Sequence, residues 1–534
     1  VIKILLSAFS LMLASMTLLI GPSAAAQTAS VPHKARCEAL MGTDFGRIQD
    51  APAQIITAKV VSGDGEQPDY CLVEGYVTST VGFELRLPET WNSRFLQVGC
   101  GGFCGGTRFS TETAQCDDAV RRGYTCVISD QGHKSQMDDG TWALDNLKGE
   151  VDYGFRAIHV TALAAKGIAT RYYGAAPKWS YFTGCSGGGR QALAAAQKFP
   201  EDYDGIMAND PASRLCDSFA IFHWNMLATR GQDGQSLFGP TDIEALKQAV
   251  IAKCDMNDNV RDGVIGDPRQ CNFDPVEIAC TASRTKACLS PLQVEAARKI
   301  YSGPVDSKGR KIYLSHSVLG SEDGYFSFTS PERFSSDFMK YMAFGQDPGP
   351  DWDASTFDWD KDPQRMRLMS AIYEASNPDL RAYRDRGGKL LIMQGWHDDG
   401  TPFSLNTIDY YEMVQKAMGG EAATKAFARL FMIPGRAHCG GGPGANAIDQ
   451  LSYLEAWVER GQAPDVLMAR HVPSTDWATQ DVTQYFRNPT QKTTFSRPIY
   501  AYPLQYRYSG RGDPNDPSSF VSVNPLRASA KPKP

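Results

Sequence analysis

The stretch Gly184-Cys185-Ser186-Gly187-Gly188 stands between an apolar run, KWSYFTG, and a strongly helical one, RQALAAAQKFP. G-x-S-x-G at a strand-to-helix junction narrows the choice of fold more than anything else in the chain. It forces a sharp turn whose crowded backbone admits only small neighbours, and it leaves the serine hydroxyl at the end of a sheet strand. The N–H groups of the helix beginning near Gly187 then point at the same spot, where they favour developing negative charge. A plain glycine-rich loop reads the same locally, so the rest of the chain must decide.

Upstream, AQIITAKVV, YCLVEGYVT, FELRLP, RFLQVG and YTCVISDQG read as short strands, and YGFRAIHVTALAAKGIATRYYG reads as a helix. Downstream, YDGIMANDPA is another apolar strand ending in polar turn residues. Strands alternating with helices predict a mainly parallel sheet covered on both faces. The rhythm stops near Pro211. From there to about Ala375 the chain is rich in Asp, aromatics, Pro and clustered Cys, before LRAYRDRGGKLLIMQGWHDD and TKAFARLFMIPGRAHCGGGPG restore the α/β pattern. The reading is an α/β core in two parts, residues 27–211 and 379–534, interrupted by an inserted lid at 212–378. No internal repeat is visible. The tail after Pro489 is Pro-rich and is expected to wrap the surface and end disordered in ASAKPKP.

A chain of 534 residues with 42% hydrophobic and 21% charged content suits a globular domain large enough to carry such an insertion. Net charge is −6 with both signs interspersed, so nucleic acid is not an expected partner. Lys3, the apolar run ILLSAFSLMLASMTLLIG and the small-residue site ending at Ala26 read residues 1–26 as a secretory signal peptide. The run is nearly long enough for a membrane anchor, and the A-x-A site decides for removal. The mature chain is therefore expected to be periplasmic or secreted, with no membrane contact. In such a compartment most of the thirteen cysteines should be paired, and an odd count leaves at least one over. CGGFC has a spacing that suits metal, but no second Cys/His pair accompanies it.

A serine hydroxyl needs a base, and the base needs an orienting acid. On sheets of this kind the chain order is Ser, then Asp or Glu, then His, each following a strand. KLLIMQGWHDD supplies Asp398 or Asp399, and RLFMIPGRAHCGGGPG supplies His438. His397 is a rival base, yet it adjoins the acid and comes too early. His133 and His159 precede the serine and are expected to pack or hydrogen-bond. Cys185 immediately precedes Ser186, and Cys439 immediately follows His438. A bridge between these cysteines would hold serine and histidine in register.

CDMNDNVRDGVIGDPRQC crowds Asp255, Asp258, Asp262 and Asp267 between Cys254 and Cys271. Carboxylates this close repel unless a hard cation gathers them, and oxygen ligands suit calcium. The spacing is not that of an EF-hand, and no terminal Glu follows. A solvated acidic turn is the alternative.

With WNSRFLQVGCGGFCGG, YFTGCSGGGR, the acidic Cys254–Cys271 segment, RDRGGKLLIMQGWHDD and PGRAHCGGGPG, most of the mature chain resembles the tannase and feruloyl esterase family. The resemblance implies an α/β-hydrolase core with a lid domain, a triad linked by Cys185–Cys439, and a calcium ion in the lid. It implies Ser186 as nucleophile, His438 as base and Asp398 as acid, the family's acid lying three residues after the glycine matched by Gly395. The backbone N–H groups of Gly102 and Gly187 would form the oxyanion hole, and Gly187 also qualifies by its place after the serine. Asp255, Asp258 and Asp262 would hold Ca2+ by side chains, with Val260 and Val264 giving carbonyl oxygens. That ion would stiffen the lid only, lying far in sequence from the triad. Further implied disulfides are Cys37–Cys71, Cys254–Cys271 and Cys280–Cys288, whereas Cys100, Cys104, Cys116, Cys126 and Cys216 receive no partners.

The substrates implied are small esters of aromatic acids. Feruloyl-type esters are favoured over galloyl esters and mono(2-hydroxyethyl) terephthalate. The lid aromatics in EDGYFSF, PERFSSDFMKYMAF and DWDASTFDWD suit gripping a ring, although most should form the lid's own core. A free carboxylate on the substrate would need a lid cation such as Arg333 or Lys340. A peptidase is a further reading, and a non-catalytic calcium-dependent binding module is the reading of a different class. A complete triad in order argues against the latter.

Overall fold

The computed structural model describes residues 32–324, 328, 332–398, 400–472 and 493–525. The segment expected to be a signal peptide, Asp399, part of EDGYFSF and the terminal ASAKPKP lie outside them. Nine strands form one sheet: β1 (Ala53–Val61), β2 (Tyr70–Val77), β3 (Val81–Pro88), β4 (Arg94–Gly99), β5 (Thr125–Ser129), β6 (Trp179–Cys185), β7 (Gly205–Asn209), β8 (Lys389–Gly395) and β9 (Ala428–Ile433). Their order is β1-β2-β3-β5-β4-β6-β7-β8-β9. The first four are joined by antiparallel pairing, and from β5 to β9 every neighbouring pair is parallel.

The parallel strands are apolar almost throughout because both their faces are covered. On β8, Leu390 and Ile392 join the cluster on one face, and Leu391 and Met393 join that on the other. On β6, Phe182 and Tyr181 divide in the same way. The chain order reverses beside β4, which lies between β5 and β6. Ligands of open α/β sheets bind outside the carboxyl ends of strands at such a point. Gly102 follows β4 there and Ser186 follows β6. The fold is the expected α/β-hydrolase-like one.

β7 and β8 are neighbours, with Gly205 opposite Lys389, although some 180 residues separate them along the chain. The long crossover carries the helices Leu215–Ala228, Pro240–Cys254, Pro291–Ser302 and Glu332–Tyr341. It has a small core of its own around Phe238, Leu246, Leu289, Ile300 and Phe328. A separate aromatic cluster, including Phe219, Phe338 and Tyr373, joins it to Phe103 and Phe403 of the main body. Most of its aromatics are therefore core, as expected.

The tail does more than wrap the surface. β10 (Val466–Arg470) pairs with β11 (Ser496–Tyr500), and β12 (Gln505–Tyr508) pairs with β13 (Phe520–Val523). Together they bury Arg497, Ile499, Tyr506 and Phe520. Disulfides link Cys37–Cys71, Cys100–Cys104, Cys116–Cys126, Cys185–Cys439, Cys254–Cys271 and Cys280–Cys288, leaving Cys216 free and buried. Two of these pairs involve cysteines the sequence reading left without partners. Cys116 lies on the helix Ser110–Arg121, which packs over β5 and so over Cys126. Among the described residues no helix is long and apolar enough to cross a membrane.

Candidate active site

Ser186 joins β6 to the helix Gly187–Lys198 with φ 60° and ψ −117°, a strained conformation for a residue with a side chain. Close approach explains the glycines around it. A Cβ on Gly184 would lie 2.5 Å from the carbonyl of Gly188, and one on Gly188 would lie 2.5 Å from the carbonyl oxygen of Gly99. A Cβ on Gly187 would meet the Gly102 oxygen at 2.7 Å, so the two backbones that carry the expected oxyanion donors are in contact.

Both are held from behind. Tyr153 donates its hydroxyl to the Gly102 carbonyl at 3.1 Å. Arg190, fully buried, donates to the carbonyls of Tyr153, Gly154 and Tyr373. Tyr153 and Gly154 belong to a π-helical turn, Asp152–Arg156, whose wider turn and i→i+5 bonding leave carbonyls out of the regular α-helical ladder.

Asp398 follows β8 and is buried. Its Oδ1 lies 2.5 Å from His438 Nδ1, and its Oδ2 accepts from Gln394 Nε2 at 2.5 Å. This contact fixes the proton on Nδ1 and leaves Nε2 as the basic nitrogen of His438. The Cys185–Cys439 disulfide brings the two flanking Cα atoms to 5.7 Å. A ring nitrogen of His438 lies within 4.8 Å of both sulfurs. Among the described residues this is the one cluster of three His, Cys, Asp or Glu ligand atoms so close, and its sulfurs are spent in the disulfide. A serine on a strained turn, an imidazole whose loop a disulfide ties to that turn and a buried carboxylate on that imidazole are the residue types that acyl transfer to serine uses.

The other histidines are engaged elsewhere. His397 Nε2 is 3.0 Å from Asp323 Oδ1 of the insertion. His159 Nδ1 is 2.7 Å from Asp202, and His133 stacks on Trp142 at 3.8 Å. Burial pulls the His133 imidazole down to about 4. The insertion grips the loop of Asp398 at two further points: Ser317 Oγ donates to the Gly400 carbonyl at 3.0 Å, and Ser315 Oγ donates to that of Pro402.

In the acidic segment, Asp255 and Asp258 are buried, and Asp262 is paired with the buried Arg497 at 2.7 Å. Asp258 Oδ2 is buried with no hydrogen-bond partner. Burial, then the charges of Asp262 and Asp255, push the Asp258 carboxyl up to about 7. The orphaned buried oxygen of Asp258 is an acceptor of the kind a hard cation takes, although among the described residues the oxygens of Asp255, Asp258 and Asp262 do not all come within 4.8 Å of one another. Val260 and Val264 are buried in the same turn. Asp267 is drawn away by Arg269 at 2.8 Å.

The expectation that this loop serves the lid alone rested on sequence distance, and the fold removes that distance. Gly263, Val264 and Ile265 share a small cleft with Trp396, His397, Gly435 and Pro443. Val264 Cγ1 stands 2.8 Å from where a Cβ on Gly435 would be. The loop is thus seated against the segments that carry both Asp398 and His438.

Asp210, at the end of β7, was missed by the sequence reading. It is fully buried, hydrogen-bonded to Gly395 N and Cys439 N, and 3.3 Å from Arg436. The only signal for it is an acid immediately after the strand beside that of Ser186.

The family model for tannase and feruloyl esterase matches residues 69–523. A mono(2-hydroxyethyl) terephthalate hydrolase from Piscinibacter sakaiensis is 31% identical, over 92% of each chain. A probable feruloyl esterase B-2 from Aspergillus flavus is 32% identical, over 75% of this chain and 79% of its own. The crystal structure of feruloyl esterase B from Aspergillus oryzae superposes with a TM-score of 0.79 at 24% identity, over 92% of this chain and 100% of its own.

Proposed function

This chain belongs to the tannase and feruloyl esterase family, and on that premise we propose that it is an exported serine carboxylic-ester hydrolase. The observation that carries the reading is the His438–Asp398 pair, tied by Cys185–Cys439 to the turn that presents Ser186. His438 Nε2 takes the proton of Ser186 as its Oγ attacks the ester carbonyl, and Asp398 stabilises the imidazolium formed. The N–H groups of Gly102 and Gly187 receive the oxyanion, each such donor being worth about 3 kcal/mol in the transition state. The alcohol leaves with the proton from His438, and water releases the acid from the acyl-enzyme. A binding module would have no use for a strained serine and a braced base. Export is supported by six disulfides, which suit an oxidising compartment, and by the signal-like residues 1–26.

The favoured substrates are feruloyl-type esters, with galloyl and terephthalate monoesters as alternatives. Phe103, beside Gly102, stacks on Phe219 and Phe338 and lies tilted against Phe334, so a buried aromatic core backs the Gly102 side of the site. A terephthalate monoester carries a free carboxylate. Arg333, the lid cation that could receive it, already faces Asp139 at 3.0 Å, Asp337 at 3.7 Å and Asp138 at 3.8 Å. That acidic surround favours an uncharged ring over a carboxylate. A calcium ion would be held by Asp255, Asp258 and Asp262 with the carbonyls of Val260 and Val264, and it would supply the charge that lets three acids share one turn.

The test is a panel of methyl ferulate, methyl gallate, mono(2-hydroxyethyl) terephthalate and p-nitrophenyl butyrate, run with wild type and Ser186→Ala in calcium. Methyl ferulate turned over fastest and lost in the variant is the expected result. Fastest turnover of the terephthalate monoester moves the substrate assignment. Full activity in Ser186→Ala overturns the serine mechanism.

A further inference from the structure

Asp210 makes more contacts with the backbone around the triad than its place at a strand end requires. Its φ of +39° is one that a residue with a side chain keeps only where its surroundings hold it. Its Oδ1 accepts from the N–H of Gly395 at 2.7 Å, at the end of β8 and three residues before Asp398. Its Oδ2 accepts from the N–H of Cys439 at 3.0 Å, the residue after His438. Its own N–H donates to the Met393 carbonyl at 2.8 Å. Arg436, also buried, faces Oδ2 through Nη1 at 3.3 Å and donates through Nη2 to the Cys439 carbonyl at 3.1 Å. One carboxylate therefore joins the end of β7, the end of β8 and the loop of His438.

The chemistry of these partners selects a carboxylate. Two backbone N–H groups donate to it and a guanidinium charge stands beside it, and an acceptor-only, negatively charged group answers all three. An asparagine would have to turn its amino group toward one of those donors. Burial raises the Asp210 carboxyl and Arg436 draws it back down, with Asp398 and His438 the other charged groups that bear on it. The disulfide holds Cys439 by its side chain, and Asp210 holds the same residue by its backbone.

We propose that Asp210, backed by Arg436, is the positioning residue of the triad. It fixes the peptide after His438 against the strand end that leads to Asp398, and its negative charge supports the imidazolium. The proposal rests on the serine-esterase reading and refines it.

The test uses full-length mature protein in calcium, with Asp210→Asn, Asp210→Glu, Arg436→Gln and, as control, Ser186→Ala. A small displacement of catalytic groups costs on the order of 100-fold, so Asp210→Asn should lose about that much kcat while KM stays within about twofold. Removing a neighbouring anion destabilises His438 in its protonated form, so the acid limb of the kcat/KM profile should move to lower pH. Removing a neighbouring cation does the reverse, so in Arg436→Gln the limb should move to higher pH. These opposite shifts are a charge signature that loss of stability alone does not give. Asp210→Glu, which keeps the charge, should restore the wild-type limb. If Asp210→Asn is not recovered folded, the Arg436→Gln limb carries the test. Wild-type kcat in folded Asp210→Asn, or limbs that stay in place in both variants, overturns the proposal. Retained turnover in Ser186→Ala instead overturns the serine reading, whatever Asp210 does.

Discussion

At the scale of single residues, the site depends on backbone packed too closely for side chains. A Cβ at position 184 would press on backbone atoms of Gly188, which cannot swing away as a side chain could. Gly184→Ala should therefore cost about 1–3 kcal/mol, as overpacking does, and should displace Ser186 as well. Thermal melts and the rate of fluorophosphonate labelling at Ser186 read the two effects separately. Asp398→Asn tests the acid. The amide keeps the shape but lets His438 take the wrong tautomer, so kcat should drop by roughly 10^4 while the melting temperature barely moves. Ser186 and His438 stand out in the sequence through their chain neighbours, glycines, a preceding strand and an adjacent cysteine, whereas the residues alone left Asp398 and Asp399 open and the family resemblance chose between them. Asp210, Arg190 and Arg436 carry no such mark. Asp210 and Arg190 bond backbone groups of distant segments, Arg436 faces the carboxylate of the distant Asp210, and only the folded sheet brings these together.

At the scale of elements, the α/β rhythm was legible because strands buried on both faces read as continuous apolar runs. The interior of the insertion was not, since its short helices and turns take their shape from disulfides and from the core beneath. One of its segments, 315–323, grips the Asp398 loop through Ser315, Ser317 and Asp323. Burial opposes the charge on Asp323, yet His397 and Lys247 hold its carboxyl well below the usual range. Its neighbour Glu322 is fully buried, accepts from Tyr301 Oη and Gly320 N, and is pushed by burial up to about 7 from an ordinary 4.5. The folded value exceeds the unfolded one, so this group's stabilisation is complete below about 4.5 and is lost as pH rises through about 7. Glu322→Gln copies the protonated form at every pH. Its melting temperature should therefore gain on that of wild type between about pH 5 and pH 8. At about 1.4 kcal/mol per pKa unit the gain should be one to three kcal/mol. A difference that stays constant with pH would show that Glu322 does not change protonation on unfolding in this range.

At the scale of the whole molecule, the acidic loop is where three parts of the fold meet. Val260 packs into the core cluster on one face of the sheet, and Arg497 of the C-terminal strands pairs with Asp262. Gly263, Val264 and Ile265 line the cleft shared with Trp396 and Gly435. A cation that sets the shape of this loop would therefore act on the tail and on both triad segments, not on the lid alone. Arg497 already neutralises one acid, so calcium should be needed for the remaining charge, and its removal should loosen the loop rather than unfold the chain. Chelation of the purified protein should accordingly lower the melting temperature and the turnover together, both returning when calcium is restored. Trp396 gives an independent readout, being buried against the loop with the Arg269 guanidinium 5.4 Å over its ring. Its fluorescence should change on chelation, and Trp396→Phe should abolish that change while the fall in melting temperature remains. Asp258→Asn should weaken calcium binding measured by calorimetry, because it replaces the carboxylate that has an unpartnered oxygen. A chelated protein with its melting temperature and Trp396 signal unaltered would return the loop to a solvated acidic turn. A lower melting temperature with unchanged turnover would restrict the cation to the lid and the tail, and would separate this loop from the triad it touches.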